Sequence, residues 1–353
     1  MKKKVVAGMS GGVDSSVTAW LLKEQGYEVY GVTMQTWENT KDKAEHPGIL
    51  EDAARVAEYL GIPHHVIDFH KEFKCKVTDY FADEYLHGRT PNPCIACNRY
   101  VKWESLLEYG RQIGADYIAT GHYARIEQLK NGRYAIRNSV TAQKDQTYAL
   151  YKLTQLQLAH TLMPVGEYEK TAIRDLAVKQ KLPVAHKPDS QEICFIPDQD
   201  YAGFIERERR EETPPPGNFV TKDGEVLGKH KGITHYTIGQ RKGLNLAMGH
   251  PVFVTRIIPE TNEVVIGENE DVFTNELICE DISYMAVEGL EKPARFLGKI
   301  RYSHRGTYCT AYPLQDGRIK CVFEEPVRAV TPGQAVVLYE GEHVAMGGTI
   351  CAR

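Results

Sequence analysis

Two groups of residues have the types and spacing to do chemistry. The first is Ser10-Gly11-Gly12-Val13-Asp14-Ser15-Ser16, set between the apolar run Val5-Val6-Ala7-Gly8-Met9 and a helical pattern, Val17 to Gln25, that stops at Gly26. A strand, a glycine-rich turn and a helix in that order make an anion cradle. The glycines let the backbone pass close to a phosphate, and free N–H groups and the helix dipole point at it. It is not a Walker A loop, because no G-x-x-x-x-G-K-[ST] occurs in the chain. The second group is cysteine. Pro91-Asn92-Pro93-Cys94-Ile95-Ala96-Cys97-Asn98 is a stiff turn feeding a helix expected from about Arg99. That places Cys97 at a helix N-terminus beside Arg99 and Lys102, all of which favours a nucleophilic thiolate. Asp189-Ser190-Gln191-Glu192-Ile193-Cys194-Phe195-Ile196-Pro197 sets another cysteine in an irregular segment. A structural zinc site would need a second C-x-x-C, which is missing.

The elements that must position these groups follow from periodicity. Strands are expected at Lys4–Gly8, Glu28–Met34, His65–Asp68 and Tyr117–Thr120, and helices at Val13–Gln25, Leu50–Leu60, Lys71–Tyr85 and Arg99–Ile113. The alternation implies a parallel sheet with helices on both faces. Ligands then bind beyond the carboxyl ends of the strands, where Ser10–Ser16 and Thr120-Gly121-His122 lie. Asn131-Gly132 signals a hairpin with a type I′ turn. Glu206–Glu212 is a charged helical end, and Thr213-Pro214-Pro215-Pro216-Gly217 cannot continue it. Beyond it come short strands, among them Phe253–Ile258 and Glu263–Ile266 around a Pro259–Asn262 turn, then Arg318–Phe323, Ala335–Tyr339 and Val344–Ile350. Their spacing implies small β-barrels. The expected domains are 1–205, 213–274 and 275–353.

Composition narrows the class. The 353 residues are 42% hydrophobic and 25% charged, as in an ordinary soluble protein of two or three domains. Met1-Lys2-Lys3-Lys4 is followed by too short an apolar run for a signal peptide, and no stretch reaches membrane-span length. A cytoplasmic location is expected, and there the eight cysteines are no disulfide framework. Cys75, Cys279, Cys309, Cys321 and Cys351 read as small buried hydrophobes. The net charge of −4 hides an uneven distribution. Ten acidic residues and no Lys or Arg fall between Ile257 and Glu291, whereas Lys229–Lys242 and Arg295–Arg305 hold no acid. Such basic clusters suit an RNA partner.

The glycine-rich loop resembles the SGGxDS loop of the PP-loop pyrophosphatases, which split ATP between the α and β phosphates and so activate an oxygen for displacement. Further segments extend the likeness: Gly88-Arg89-Thr90-Pro91-Asn92-Pro93 with Cys97-Asn98, Ala119-Thr120-Gly121-His122-Tyr123, Lys144-Asp145-Gln146-Thr147-Tyr148 and Cys194-Phe195-Ile196. Tyr236-Thr237-Ile238-Gly239-Gln240-Arg241-Lys242-Gly243 and Thr331-Pro332-Gly333-Gln334 continue it to the C-terminal end. In this order they resemble the tRNA-specific 2-thiouridylases, which replace the 2-oxygen of the anticodon wobble uridine by sulfur. The resemblance implies an α/β fold, with an N-terminal PP-loop (adenine nucleotide alpha hydrolase-like) parallel sheet followed by two small β-barrel-like domains.

The resemblance also assigns roles. ATP with Mg²⁺ would bind at Gly8, Met9, Ser10, Gly11, Gly12, Val13, Asp14 and Ser15, with Met34 on the adenine and Gly121 near the ribose or α phosphate. Cys194 would accept a persulfide from a sulfur-donor protein or sulfide source, Cys97 would be its partner thiol, and the two would finish as a disulfide. Asn92, Pro93 and Cys94 would line the target-base pocket. His122, Lys144, Asp145, Gln146, Arg301, Tyr302 and Gln334 would touch the tRNA anticodon arm, Arg301-Tyr302 by gripping a phosphate or stacking on a base. One residue departs from the pattern: many relatives carry Asp where Cys94 stands. With Cys97 and Cys194 it would suit an iron–sulfur cluster on three thiolates, an alternative route for sulfur. Two rivals are a PP-loop amidotransferase or ligase, indifferent to both cysteines, and a nucleotide-regulated RNA-binding protein that releases no pyrophosphate.

Overall fold

The computed structural model describes residues 2–37, 48–189 and 193–351; Ser190, Gln191 and Glu192 of the second cysteine segment lie outside them. The first sheet comprises β1 (Lys4–Gly8), β2 (Glu28–Gln35), β3 (His64–Asp68), β4 (Tyr117–Ala119) and, further along the chain, Thr161–Leu162. They pair in parallel in the order β3-β2-β1-β4-(161–162). Alternation along the central strand decides what covers each face. Val5 and Ala7 meet α1 (Val13–Glu24), α2 (Ile49–Leu60) and the helix Lys170–Lys179. Val6 points the other way, to Trp103, Leu106 and Ile118. All three β1 residues are fully buried. Because the chain runs outward from β1 to β3 and then crosses back to β4, the order reverses between β1 and β4. Ser10–Ser16 and Thr120–His122 face one another at that switch point.

Two expected helices prove to be composite. Lys71–Tyr85 becomes His70–Phe73, a π-helical turn Lys74–Thr78 and Asp79–Leu86. Arg99–Ile113 becomes a short helix Pro93–Ala96, a π-helical stretch Cys97–Lys102 and an α-helix Trp103–Gln112. The hairpin expected at Asn131-Gly132 forms between β5 (Arg125–Gln128) and β6 (Tyr134–Arg137), with a different turn. Gly132 alone has positive φ (83°), and its N–H bonds Leu129 O while Leu129 N–H bonds Arg133 O. That is a type I turn closed by a glycine bulge, not type I′.

The remaining strands form two sheets. Gly217–Val220, Val226–His230, Phe253–Ile258 and Glu263–Gly267 make a four-stranded sheet over Phe219, Val254, Val264 and Tyr236. Phe273–Tyr284, Ala294–Lys299, Thr307–Pro313, Ile319–Arg328, Ala335–Glu340 and His343–Ile350 close into a six-stranded antiparallel barrel, sealed by pairing of the first strand with the last. The β5–β6 hairpin adds to this barrel through His343 opposite Arg137, reinforced by an Arg137–Glu342 ion pair and a hydrogen bond between His343 and Glu127. Tyr148 Oη donates to Ala335 O and Gln334 Nε2 to Thr90 O, both at 2.8 Å. The barrel is thereby fixed to the sheet domain beside the Pro93 turn.

Candidate active site

The anion cradle is built by the backbone of the first loop. Gly11 takes φ +63°, and a Cβ there would stand 2.7 Å from Ile49 O. Gly12 caps α1 with no side-chain hydrogen bond, so N–H groups of the first helical turn have no capping partner. The loop holds itself through Ser15, whose Oγ accepts from Ser10 N–H (3.2 Å) and donates to Gly12 O (3.1 Å). Ser16 Oγ also bonds Gly12 O. Gly121, arriving from β4, packs so tightly that a Cβ would lie 2.7 Å from Ser15 N and 2.8 Å from Asp14 C. Gly8 ends β1 beneath the loop with Met9 following it, and Met34, next to last in β2, is a partly buried residue packed on the second core.

A charged network surrounds the cradle. Asp14 accepts from Tyr123 Oη (2.7 Å) and from Lys170 Nζ with both oxygens (2.7 and 2.8 Å). Lys170 also meets Asp189, which in turn takes Lys144 (3.1 Å) and Arg174 (2.5 Å). Burial opposes the Asp189 charge, but hydrogen bonds from Lys170 and Lys144 overcome it and hold the carboxyl at about 2. Lys187 donates to Gly11 O and to Asp52, which also pairs with Arg55. Burial and Asp14 push the Tyr123 phenol far up, so it stays a donor. Of these groups the sequence reading singled out only Asp14 and Lys144 for a role. Lys170 and Arg174 stand one turn apart on an unremarkable helix, and only folding reveals that both meet Asp189 and that Lys170 also reaches Asp14 of the loop.

The thiols are arranged differently from expectation. The short helix begins at Asn92, whose Oδ1 accepts from Cys94 N–H (3.1 Å), with Pro93 in the first turn. Cys94 therefore occupies the first turn that the sequence reading gave to Cys97. Cys97 instead lies at the end of that helix, 8% exposed, among Phe195, Phe81 and Val101. Burial pushes its thiol up to about 12, against a pull from Lys102. Arg99, the other expected activator, is paired with Glu104 and lies over Tyr100. Cys194 is exposed to solvent, though its partial desolvation still raises its thiol. Cys94, Cys97 and Cys194 are close enough to feel one another's charge. His122 is buried next to Gly121: Nδ1 meets Thr120 Oγ1 at 2.9 Å, its ring packs on Trp103, and burial and Lys102 keep it neutral.

Family models match the chain throughout: a tRNA methyl transferase HUP domain over residues 3–198, a tRNA methyl transferase PRC-barrel domain over 202–268 and an aminomethyltransferase beta-barrel domain over 274–350. The tRNA-specific 2-thiouridylase MnmA of Lachnoclostridium phytofermentans is 60% identical over 355 residues, 99% of each chain. Its namesake in Clostridioides difficile is 52% identical over 357 residues, covering 99% of this chain and 98% of its own. The chain belongs to the tRNA-specific 2-thiouridylase family. Among solved structures, the U34-tRNA thiolase NcsA of Methanococcus maripaludis with its 4Fe-4S cluster aligns at 17% identity and a TM-score of 0.37, over 60% of this chain and 67% of its own.

Within this 2-thiouridylase family chain the residues assigned to tRNA divide into two kinds. Asp145 spends its oxygens on Ser139 N–H, Asn138 Nδ2 and Thr147 N–H. Gln146 exchanges hydrogen bonds with the Tyr123 backbone, and Gln334 spends its amide on Thr90. These three build the site's walls. Lys144 and Tyr302 remain partly open, Tyr302 at 49% exposure and facing Cys94 and Asp145. Arg301 donates to Arg328 O (2.7 Å), and burial lowers it. A cleft of about 700 Å³ lies on the other side of the Pro93–Ala96 helix. Asn92, Ile95 and Ala96 line it, but Cys94 and Cys97 do not, so it is separate from the thiol site.

Proposed function

We propose that the protein catalyses ATP-dependent 2-thiolation of the wobble uridine of tRNA. As a member of its family it is a tRNA-uridine sulfurtransferase. One observation supports this reading above others: Cys97 packs in one core cluster with Phe195 and Ile196, so the segment of Cys194, nearly a hundred residues further on, lies against it in the same domain as an anion cradle. A ligase or amidotransferase would have no use for these thiols. The domains 1–205, 213–274 and 275–353 serve as catalytic unit, middle module and tRNA-contacting barrel in this reading, and no described helix is long and apolar enough to cross a membrane.

In the first half-reaction the α phosphate of ATP seats on the first turn of α1, and the uridine C2 oxygen attacks it, expelling pyrophosphate. Lys170, Arg174 and Lys187 supply positive charge for the leaving group. Mg²⁺ arriving with the triphosphate would be held by Asp14, the carboxylate at the cradle, after Lys170 turns to phosphate. In the second, a sulfur donor has left Cys194 as a persulfide. Its terminal sulfur attacks C2 and AMP departs with the oxygen. Cys97 then gives up its proton and attacks Cys194 Sγ, so the sulfur stays on C2 and a Cys97–Cys194 disulfide forms. An external dithiol reopens it.

The cluster route asks for three thiolates around one metal centre. Among the described residues no three His, Cys, Asp or Glu side chains stand grouped to hold a metal ion, and Cys97 rests as a buried thiol. The arrangement suits the persulfide route better. The test is mass analysis of tRNA nucleosides after incubation with ATP, Mg²⁺ and a sulfide source under anaerobic conditions. Formation of 2-thiouridine by iron-free protein is the expected result, and its absence under every sulfur supply refutes the proposal.

A further inference from the structure

Thr90 is where the three domains meet. Its N–H donates to Pro332 O and its O accepts from Gln334 Nε2, both at 2.8 Å and both on the barrel side. Its Oγ1 lies 3.3 Å from Thr237 Oγ1 of the middle domain. Thr237 opens a turn that Gln240 N–H closes on Thr237 O (3.0 Å), and Gly239 N–H ties it to Val254 O (2.8 Å). Gly239 has φ +86°, and a Cβ there would stand 2.6 Å from Ala329 Cβ and 3.4 Å from Arg328 Nη1. The turn therefore lies directly on the end of the barrel strand Ile319–Arg328. Arg328 reaches across the seam, its guanidinium 5.1 Å from the centre of the Phe253 ring, and Arg301 Nη1 donates to Arg328 O at 2.7 Å. The cations around the cradle each answer a carboxylate. These do not. Among the described residues the Arg328 guanidinium donates no hydrogen bond and meets no carboxylate, and Arg301 meets no carboxylate either. Arg241 and Lys242, just past Gly239 on the turn, are exposed and form no ion pair among the described residues.

We propose that Arg328 and Arg301, continued by Arg241 and Lys242 of the middle-domain turn, form a phosphodiester site for the backbone of the tRNA anticodon arm. The inference rests on the reading of tRNA as substrate and gives the middle domain a share in holding it. A guanidinium presents its donors in a planar fork that fits two phosphate oxygens at once. Two forks side by side without a counter-ion repel, and burial, then Arg328, disfavour the Arg301 charge. An anion received between them relieves both penalties. The position fits a nucleic-acid chain. The turn is bonded to Thr90, two residues before Asn92, where the segment assigned to the target base begins. A strand whose base enters there carries its neighbouring phosphates out past the seam. The site grips backbone and reads no base.

The test is RNA binding without ATP, so it does not depend on whether thiolation occurs. Fluorescence anisotropy of a labelled anticodon-arm stem-loop, titrated over a series of KCl concentrations, is compared for wild type, Arg328→Gln, Arg328→Lys and Lys179→Gln. Lys179 is a control at the end of the helix Lys170–Lys179 away from the cradle. Arg328→Gln is expected to weaken binding about tenfold and to make the slope of log K against log salt shallower by about one, the loss of one phosphate contact. Arg328→Lys keeps the wild-type slope, and Lys179→Gln changes neither quantity. The loss is the same for a stem-loop with cytidine at the wobble position, because backbone contacts carry no sequence. Should Arg328→Gln fail to fold, the exposed pair Arg241→Gln with Lys242→Gln carries the same expectation. An Arg328 that only braces the seam by stacking on Phe253 would lower Tm and leave the salt slope unchanged. That result overturns the inference, as does a loss confined to the uridine loop. A shallower slope in Arg328→Gln, found with a wild type that makes no 2-thiouridine, would overturn the thiolation reading alone.

Discussion

Two glycines of the cradle separate a structural requirement from a ligand's. A Cβ on Gly121 would approach Ser15 N to 2.7 Å and Asp14 C to 2.8 Å, where ordinary contacts begin at 3.4 Å. Both neighbours are backbone of the loop and its helix, so Gly121→Ala must displace them by most of an ångström. Overpacking of this kind costs about 1–3 kcal/mol, a fall of roughly 2–10 °C in Tm for a chain of this size. Gly12 is different. Its φ is −100°, and a Cβ would meet only Ser10 Oγ at 3.5 Å. The weaker N-cap and the stiffer unfolded chain nearly offset, so Gly12→Ala leaves stability within about 1 kcal/mol. A phosphate on the first turn of α1 would meet that methyl group directly. ATP affinity, measured by calorimetric titration with Mg²⁺, is expected to fall at least tenfold, about 1.4 kcal/mol, in both variants, with Tm falling only in Gly121→Ala. A Gly12→Ala protein that binds ATP like the wild type would refute the seat assigned to the phosphates.

Cys194→Ser is expected to abolish 2-thiouridine while a single turnover of tRNA-dependent pyrophosphate release survives, read by coupled pyrophosphate assay and nucleoside mass analysis. Loss of both signals together would tie Cys194 to nucleotide chemistry instead. Asp189 carries a pH signature: its folded-state value of about 2 lies below the ordinary carboxylate value, so its contribution to stability is complete above about pH 4 and is lost as pH falls through 2. Lys170→Met removes a principal cause of that depression, so denaturant midpoints of the variant and wild type should converge between pH 4 and 2. A gap that stays constant to pH 2 contradicts this.

Much of the sheet domain was legible in the sequence because its signals are local. The apolar run at Val5, the glycines at 11 and 12 and the pattern of α1 place the cradle without tertiary information. The β5–β6 hairpin was equally visible, yet its pairing with the barrel was not, since His343 opposite Arg137 joins segments two hundred residues apart. The same holds for Lys170, Arg174 and Asp189, whose meeting depends on how a late helix packs on α1. Cys97 was misplaced for a subtler reason. An apolar pattern marks which residues face the core but does not report an extra residue per turn, so the π-helical stretch read as ordinary helix starting near Arg99. The proline at 93 starts the helix six residues earlier, and that shift exchanges the environments of Cys94 and Cys97.

That exchange sets an order on the chemistry. The cradle is preformed, with Ser15, Gly12 and Gly121 holding its backbone and Asp14 fixed from two sides. The sulfur half is not: at about 12, Cys97 holds on the order of a thousandth of the thiolate of an exposed cysteine at neutral pH. On the proposed persulfide route, a thiol in that state is slow to attack a Cys194 persulfide, and so does not discard the sulfur before an activated uridine is present. On that route, seating of the tRNA brings Cys97 into play by opening its surroundings. Iodoacetamide labelling of Cys97 at pH 7.5 should therefore be at least a hundredfold slower than that of Cys75 in the free protein. It should rise at least tenfold when tRNA and a non-cleavable ATP analogue are bound, in a Cys194→Ser background that cannot form the disulfide. Fast labelling in the free protein would mean that Cys97 is already ionised and that substrate binding does not gate it.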